Sequence, residues 1–329
     1  MSFENLLASN DGVFDAKFSD KKVKNDTPKR TKFLGFGGEK LMGQQAFFDA
    51  FLRKHPHLQG LEFIEQLLEH FEFSFQTPWK EKERIPAEGR IIIVSNHPLG
   101  TLDAAALYKL VSDIRPDVRV IVEQSKGELR DLSESPLASV ILPYDMNSDQ
   151  LPDNGPSVNN TACDYLREEG ALIFFPCDDV SRIRPTGVSD PKWRGDFLRL
   201  ALAAQAPILP VFIDATNSAL FYGLSAVYKP LSELIRVPEM YKQTRKSVSI
   251  RVGDLVAYDT FSQSGLPFKT QVKLFKKHVY KIGKGKDGVW TTRSAVAHPE
   301  SRKVIKHLVA SQRYIGHTSD HKQIYLYQN

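Results

Sequence analysis

Short, continuously apolar runs alternate with longer stretches of helical periodicity through the middle of the chain. In order they read RIIIVS, DAAALYKLVSDI, VRVIVE, VILPYD, NNTACDYLREEG, ALIFFP, GDFLRLALAAQA and ILPVFI. Strands that are apolar at every position are buried on both faces, and helical crossovers are what cover both faces of a parallel sheet. The rhythm therefore predicts an α/β fold with a mostly parallel or mixed central sheet flanked by helices. It also predicts that polar groups with a chemical role gather where strands end, at their C-terminal edge. SIRVGDLVAY supplies a further strand and QVKLFKKHVYKI a basic helix.

Upstream, Leu41, Phe47, Phe48, Phe51, Leu52, Leu61, Phe63, Ile64, Leu67, Leu68 and Phe71 recur at helical spacing with a break at HPHLQG. Two N-terminal amphipathic helices are expected, packed on the core or laid on a membrane. The organisation reads as a polar basic arm over 1–38, a domain over 39–285 that includes these helices, and a short C-terminal extension over 286–329 that ends in the strand-like QIYLY.

Composition excludes several classes. Cys163 and Cys177 have no paired spacing, so neither a disulfide framework nor a cysteine zinc knuckle is expected. LALAAQAPILPVFI, the longest nearly apolar stretch, is short and broken by Gln205 and two prolines, so no spanning helix is expected. The N-terminus lacks a basic start followed by an apolar core, so a cytoplasmic protein is expected. Lys+Arg number 44 against 39 Asp+Glu, a mild excess that is bunched at Lys17–Lys32 and Lys269–Lys286. Such clusters suit anionic lipid, an acidic carrier protein or nucleic acid, and are often no more than solvated faces. No nucleic-acid module accompanies them.

SNHPLGTLDAAAL, residues 95–107, follows the first apolar run and carries the chemistry-bearing pair His97 and Asp103. Pro98 and Gly100 predict a turn, and Thr101 an N-cap for a helix with Asp103 in its first turn. An acid there is also favoured by the helix dipole alone. The pair gains weight from two other strand ends. ALIFFP stops in CDDVSRIRP, with Asp178, Asp179, Ser181, Arg182 and Arg184, and ILPVFI stops in DATNSALFY, with Asn217 and Ser218. Parallel topology puts all three at one edge.

Together NHPLGTLD, FPCDDVSR and APILPVFIDATNSALFY resemble the motif blocks of the phospholipid and glycerol acyltransferase superfamily, most closely its putative hemolysin and ornithine-lipid acyltransferase branch. The resemblance covers roughly residues 60–260. It implies a glycerol-phosphate acyltransferase-like fold and transfer of a fatty acyl group from acyl-CoA or acyl carrier protein to a lyso-lipid hydroxyl. It implies His97 as general base and Asp103 as the group that holds the imidazole, with no protein nucleophile. Helix N–H groups after Gly100 would face the oxyanion. Asn96, Gly100, Asp179, Ser181, Arg182, Arg184, Asn217 and Ser218 become candidate substrate-binding residues, the arginines suited to an anionic group. No cofactor beyond the acyl donor is implied, and the partners are that donor, the lyso-lipid and an anionic membrane surface, with the protein peripheral on the inner face.

The sequence also departs from the pattern. Cys177 and Asp178 occupy the motif's glutamate and glycine positions, and Met146 falls where an arginine is expected, which weakens the case for a phosphate-bearing acceptor and, between a lysophospholipid and a lyso-ornithine or other lyso-lipid, favours the latter. Cys177, beside two acids, reads as packing. Two other functions stay open: a catalytically silent lipid or acyl-carrier binding relative, and a thioesterase or esterase using the same dyad with water. DMNSDQLPDNG lacks the glycine and glutamate of a calcium loop, GKGKDG lacks phosphate-loop order, and the His317, Asp320 and His321 segment reads as a turn.

Overall fold

The computed structural model describes residues 38–123, 135–144, 158–177, 181–184, 187–218, 221, 236–285, 312–317 and 323–327. Helices α1 (Gly38–Lys54) and α2 (Gly60–His70) lead into strand β1 (Ser74–Gln76), the short α3 (Trp79–Lys82) and β2 (Ile91–Ser95). Helix α4 (Leu102–Ser112), β3 (Val118–Glu123), β4 (Ile141–Tyr144), α5 (Val158–Arg167) and β5 (Ala171–Phe174) follow. A small antiparallel pair, β6 (Arg182–Arg184) and β7 (Gly187–Ser189), precedes α6 (Asp196–Ala204) and β8 (Ile208–Asp214). The chain continues through α7 (Arg236–Tyr241), β9 (Ser247–Val252), α8 (Asp259–Ser262) and α9 (Phe268–Ile282). Strands β10 (Gln312–His317) and β11 (Gln323–Tyr327) pair antiparallel with each other.

The central sheet has seven strands in the order β1-β9-β8-β2-β5-β3-β4. Strands β8, β2, β5, β3 and β4 run parallel, while β9 is antiparallel to β8 and carries β1 parallel at the far edge. The mixed, mostly parallel α/β sheet expected from the apolar runs is what forms. Its two-sided burial explains those runs. Ile91 and Ile93 pack with α1, α2 and α4 on one face, whereas Ile92 and Val94 pack with α5, α6 and α9 on the other. Each such fully buried side chain contributes roughly 1.5–3 kcal/mol.

Local expectations were met unevenly. The break at HPHLQG falls between α1 and α2, where Gly60 adopts φ 59° and gives its N–H to Pro136 O at 2.7 Å. The second helix ends at His70, just before Phe71, and Ser74–Gln76 forms β1 and pairs with Ser247–Ser249. SIRVGDLVAY is a strand only as far as Val252, after which Val256 makes a single bridge to Ile208. The Lys17–Lys32 cluster, Asp178, Asp179, Met146, the calcium-like segment, Asp320 and His321 lie outside the described residues.

Arg115 closes the base of the sheet. It is 2% exposed, and its guanidinium chelates Asp117 while donating to the carbonyls of Gly89 and Glu169, just ahead of β2 and β5. Two central strands thus start from one buried cation whose donors are met by a carboxylate and two carbonyls.

Candidate active site

Strand β2 delivers the turn 96–100 to the C-terminal edge of the sheet. Gly100 has φ 103°, a region that L side chains rarely adopt, and so reverses the chain between strand and helix without strain. Asn96 stitches the start of the turn to β8: its Nδ2 donates to Ile213 O at 2.9 Å and its Oδ1 accepts the Ile213 N–H at 2.7 Å. Asn217, beyond the end of β8, donates its Nδ2 to Pro98 O at 2.9 Å. Both amides thus fix the turn from the neighbouring strand.

His97 is 4% exposed and Asp103 fully buried. His97 Nδ1 lies 3.4 Å from Asp103 Oδ2, a contact not aligned as a hydrogen bond, and both ring nitrogens lack a hydrogen-bond partner among the described residues. Such loosened geometry is common in catalytic pairs without substrate. The imidazole lies over Phe175, just past β5, with ring centroids 4.2 Å apart. Asp103 accepts the N–H of Leu99 on Oδ2 and that of Ala104 on Oδ1, each at 2.9 Å. The expected Thr101 cap is corrected here: Thr101 has helical φ −91° and ψ −51° and makes no side-chain capping bond, while Asp103 reaches back to the turn instead. That reach ties the carboxylate to the loop carrying His97.

The third strand end is built on a residue the sequence did not single out. Asp190 is fully buried, and its Oδ1 accepts the His97 N–H at 3.3 Å and the Ser181 hydroxyl at 2.5 Å. Its Oδ2 accepts Trp193 Nε1 at 2.7 Å, and Ser181 N donates to His97 O at 3.1 Å. Behind it, Asp190 N donates to Tyr280 OH at 2.8 Å, and Lys276 Nζ caps the carbonyls of Asp190 and Pro191 at 2.7 Å each. No motif signal in SDPKW marks Asp190, since its role exists only through contacts made across the fold. Burial, followed by the charge of Asp190, pushes the Cys177 thiol well up, and burial together with that charge also raises the Tyr280 phenol.

The structure therefore brings Asn96, His97, Gly100, Asp103, Ser181 and Asn217 around one turn. Ser218 turns elsewhere: its N–H and hydroxyl both donate to Glu239, and Lys242 Nζ donates to its Oγ at 3.0 Å. Arg182 and Arg184 bound β6, directly after Ser181, and their side chains are not among those described.

Comparison with known proteins gives the family. The acyltransferase family profile matches residues 44–288. The lyso-glycine lipid O-acyltransferase of Bacteroides thetaiotaomicron is 27% identical over 273 residues, covering 80% of this chain and 96% of its own. The protein of the same name from Phocaeicola vulgatus is 25% identical over 241 residues, covering 71% and 82%. Among solved structures, the 1-acyl-sn-glycerophosphate acyltransferase PlsC of Thermotoga maritima aligns with TM-score 0.42 and 17% identity over 77% of this chain and 91% of its own. The chain is an acyltransferase and belongs to the phospholipid and glycerol acyltransferase superfamily.

Proposed function

We propose that the protein moves a fatty acyl group from a thioester donor, acyl-CoA or acyl carrier protein, to the hydroxyl of a lyso-lipid, with His97 as general base. The observation that carries this reading is the buried His97–Asp103 pair, whose imidazole has no hydrogen-bond partner among the described residues and so keeps its nitrogens for a substrate hydroxyl. The names of the two relatives support a lyso-lipid acceptor bearing an amino-acid headgroup, a lyso-glycine lipid first. A lyso-ornithine lipid is the second acceptor to try.

The steps balance without a cofactor. The acceptor O–H gives its proton to the His97 ring as its oxygen bonds to the thioester carbonyl carbon, and the carbonyl electrons move onto oxygen. Collapse re-forms the carbonyl and breaks the C–S bond. The imidazolium returns its proton to the departing thiolate, leaving an acylated lipid and a free thiol. Asp103 holds the ring and stabilises the imidazolium; such acid-base assistance supplies about 10²–10⁴-fold.

Work at an anionic membrane surface on the cytoplasmic side is part of the same reading. Phe47 on α1 is 69% exposed and Trp79 on α3 is 72% exposed, while Lys269, Lys273, Lys277 and Lys284 are exposed along or just beyond α9. Among the described residues no helix is long and apolar enough to cross a membrane.

The test is transfer of labelled acyl groups from acyl-CoA and acyl carrier protein to lyso-glycine and lyso-ornithine lipids, comparing wild type with His97→Ala. Labelled diacyl lipid that disappears in the variant supports the reading. Label appearing as free acid makes the protein a thioesterase, and full transfer by His97→Ala removes the base from His97.

A further inference from the structure

We infer that Asp190 is a positioning residue for His97 and a second buried negative charge beside it, an inference that rests on His97 being the base. The main chain of His97 is held on both sides by one unit: its N–H goes to Asp190 Oδ1, and its carbonyl takes the N–H of Ser181, whose hydroxyl binds the same Asp190 oxygen. Neither bond involves the imidazole, so Asp190 leaves the ring free to meet substrate while fixing the peptide from which it projects. The remaining carboxylate oxygen is fixed by Trp193, and the Asp190 main chain by Tyr280 and Lys276.

A second carboxylate matters because His97 must gain a charge during the reaction. In a buried site, anionic neighbours favour the imidazolium over the neutral ring. Among the described residues, the titratable and charged groups packed around the His97 turn are Asp103 on α4, Cys177 after β5, Asp190 itself, and Lys276 and Tyr280 on α9. The Cys177 thiol is held neutral, and the Lys276 ammonium, bonded to main-chain carbonyls, partly offsets the negative charge. The carboxylates are therefore the anions placed to act on the ring. Asp103 faces it directly, and Asp190 sits against its peptide.

Asp190→Asn removes the charge but preserves an oxygen for His97 and Ser181. It also turns an amide N–H₂ toward the Trp193 N–H, donor against donor, so the variant loses stability for a reason unrelated to His97. Adding Trp193→Phe removes that clash and separates the two effects. The experiment follows acyl release from palmitoyl-CoA by the full chain, counting label on lyso-glycine lipid and as free acid together, so that the result does not depend on the acceptor. Thermal midpoints are measured alongside.

Asp190→Asn is expected to lower kcat about 10- to 100-fold, as losing a buried anion beside a ring that gains charge in the reaction does, while KM for the donor stays within about twofold. In Asp190→Asn/Trp193→Phe the donor clash is gone while kcat does not recover. Wild-type kcat in Asp190→Asn, a loss carried by donor KM instead of kcat, or recovery of kcat in the double variant would each overturn the inference. The His97→Ala control separates the two levels. If it retains full release, His97 is not the base and the reading beneath fails. If it is silent while Asp190→Asn is unaffected, only the role of Asp190 fails.

Discussion

Asp103 Oδ2 stands 3.4 Å from His97 Nδ1 and accepts the Leu99 N–H at 2.9 Å. One oxygen therefore faces the imidazole and also locks the turn that carries it. In Asp103→Asn the amide oxygen can keep one of these contacts but not the charge. The expected result is a kcat lower by about 10²–10⁴-fold with a well-folded protein. Steady-state transfer assays with circular dichroism check this, and a kcat near wild type would mean that Asp103 serves the turn alone.

The thiols give a second prediction. Burial pushes both cysteines upward, Cys177 well above its ordinary value with Asp190 adding to the effect. A raised thiol stays protonated at neutral pH and is a poor nucleophile. Iodoacetamide should therefore modify neither Cys163 nor Cys177 in the native protein at neutral pH and both in urea, as read by intact mass. Cys177→Ala should retain transfer, whereas a dead variant with an unchanged thermal midpoint would make Cys177 part of the chemistry.

A third prediction concerns the opposite end of the sheet. Arg115→Ala removes a fully buried side chain and strands the carbonyls of Gly89 and Glu169. A loss of about 2–5 kcal/mol follows from cavity formation and unmet acceptors. Urea unfolding measures it. KM for the donor should not change, because Arg115 lies at the base of the strands and the His97 turn at their C-terminal edge.

What could be read from the chain follows from how local each feature is. RIIIVS, VRVIVE and ALIFFP are strands because two-sided burial writes itself as an unbroken apolar run, and His97 was placed at a strand's end by the Pro98 and Gly100 turn. Strand β1 left no such mark: Ser74–Gln76 is too short to show alternation and exists by pairing with β9. Asp190 was invisible for the same reason, since its partners His97, Ser181 and Trp193 come from separate stretches joined only by folding. Lys276 read as one charge among many and is instead a bridge to two carbonyls. Ser218 read as a candidate because it follows a strand end, and in the fold Glu239 engages both its N–H and hydroxyl.

Glu81 supplies the acid-side test of stability. Burial works to raise its carboxyl. Its bonds to Arg251 and the Val252 N–H, with the charges of Arg251 and Arg84, outweigh burial and bring it below the ordinary value. A carboxyl depressed in the folded state contributes stability that is present above its unfolded value and is lost as pH falls through the folded one. Glu81→Gln lacks that contribution at every pH. The gap in unfolding free energy between wild type and Glu81→Gln should therefore be widest near neutral pH and narrow as pH falls below about 4.3, the ordinary value for a glutamate. Urea titrations at a series of pH values measure the gap. A gap that stays constant down to the acid limit would show that the contact between α3 and β9 is held by shape and neutral hydrogen bonds rather than by the ionised pair.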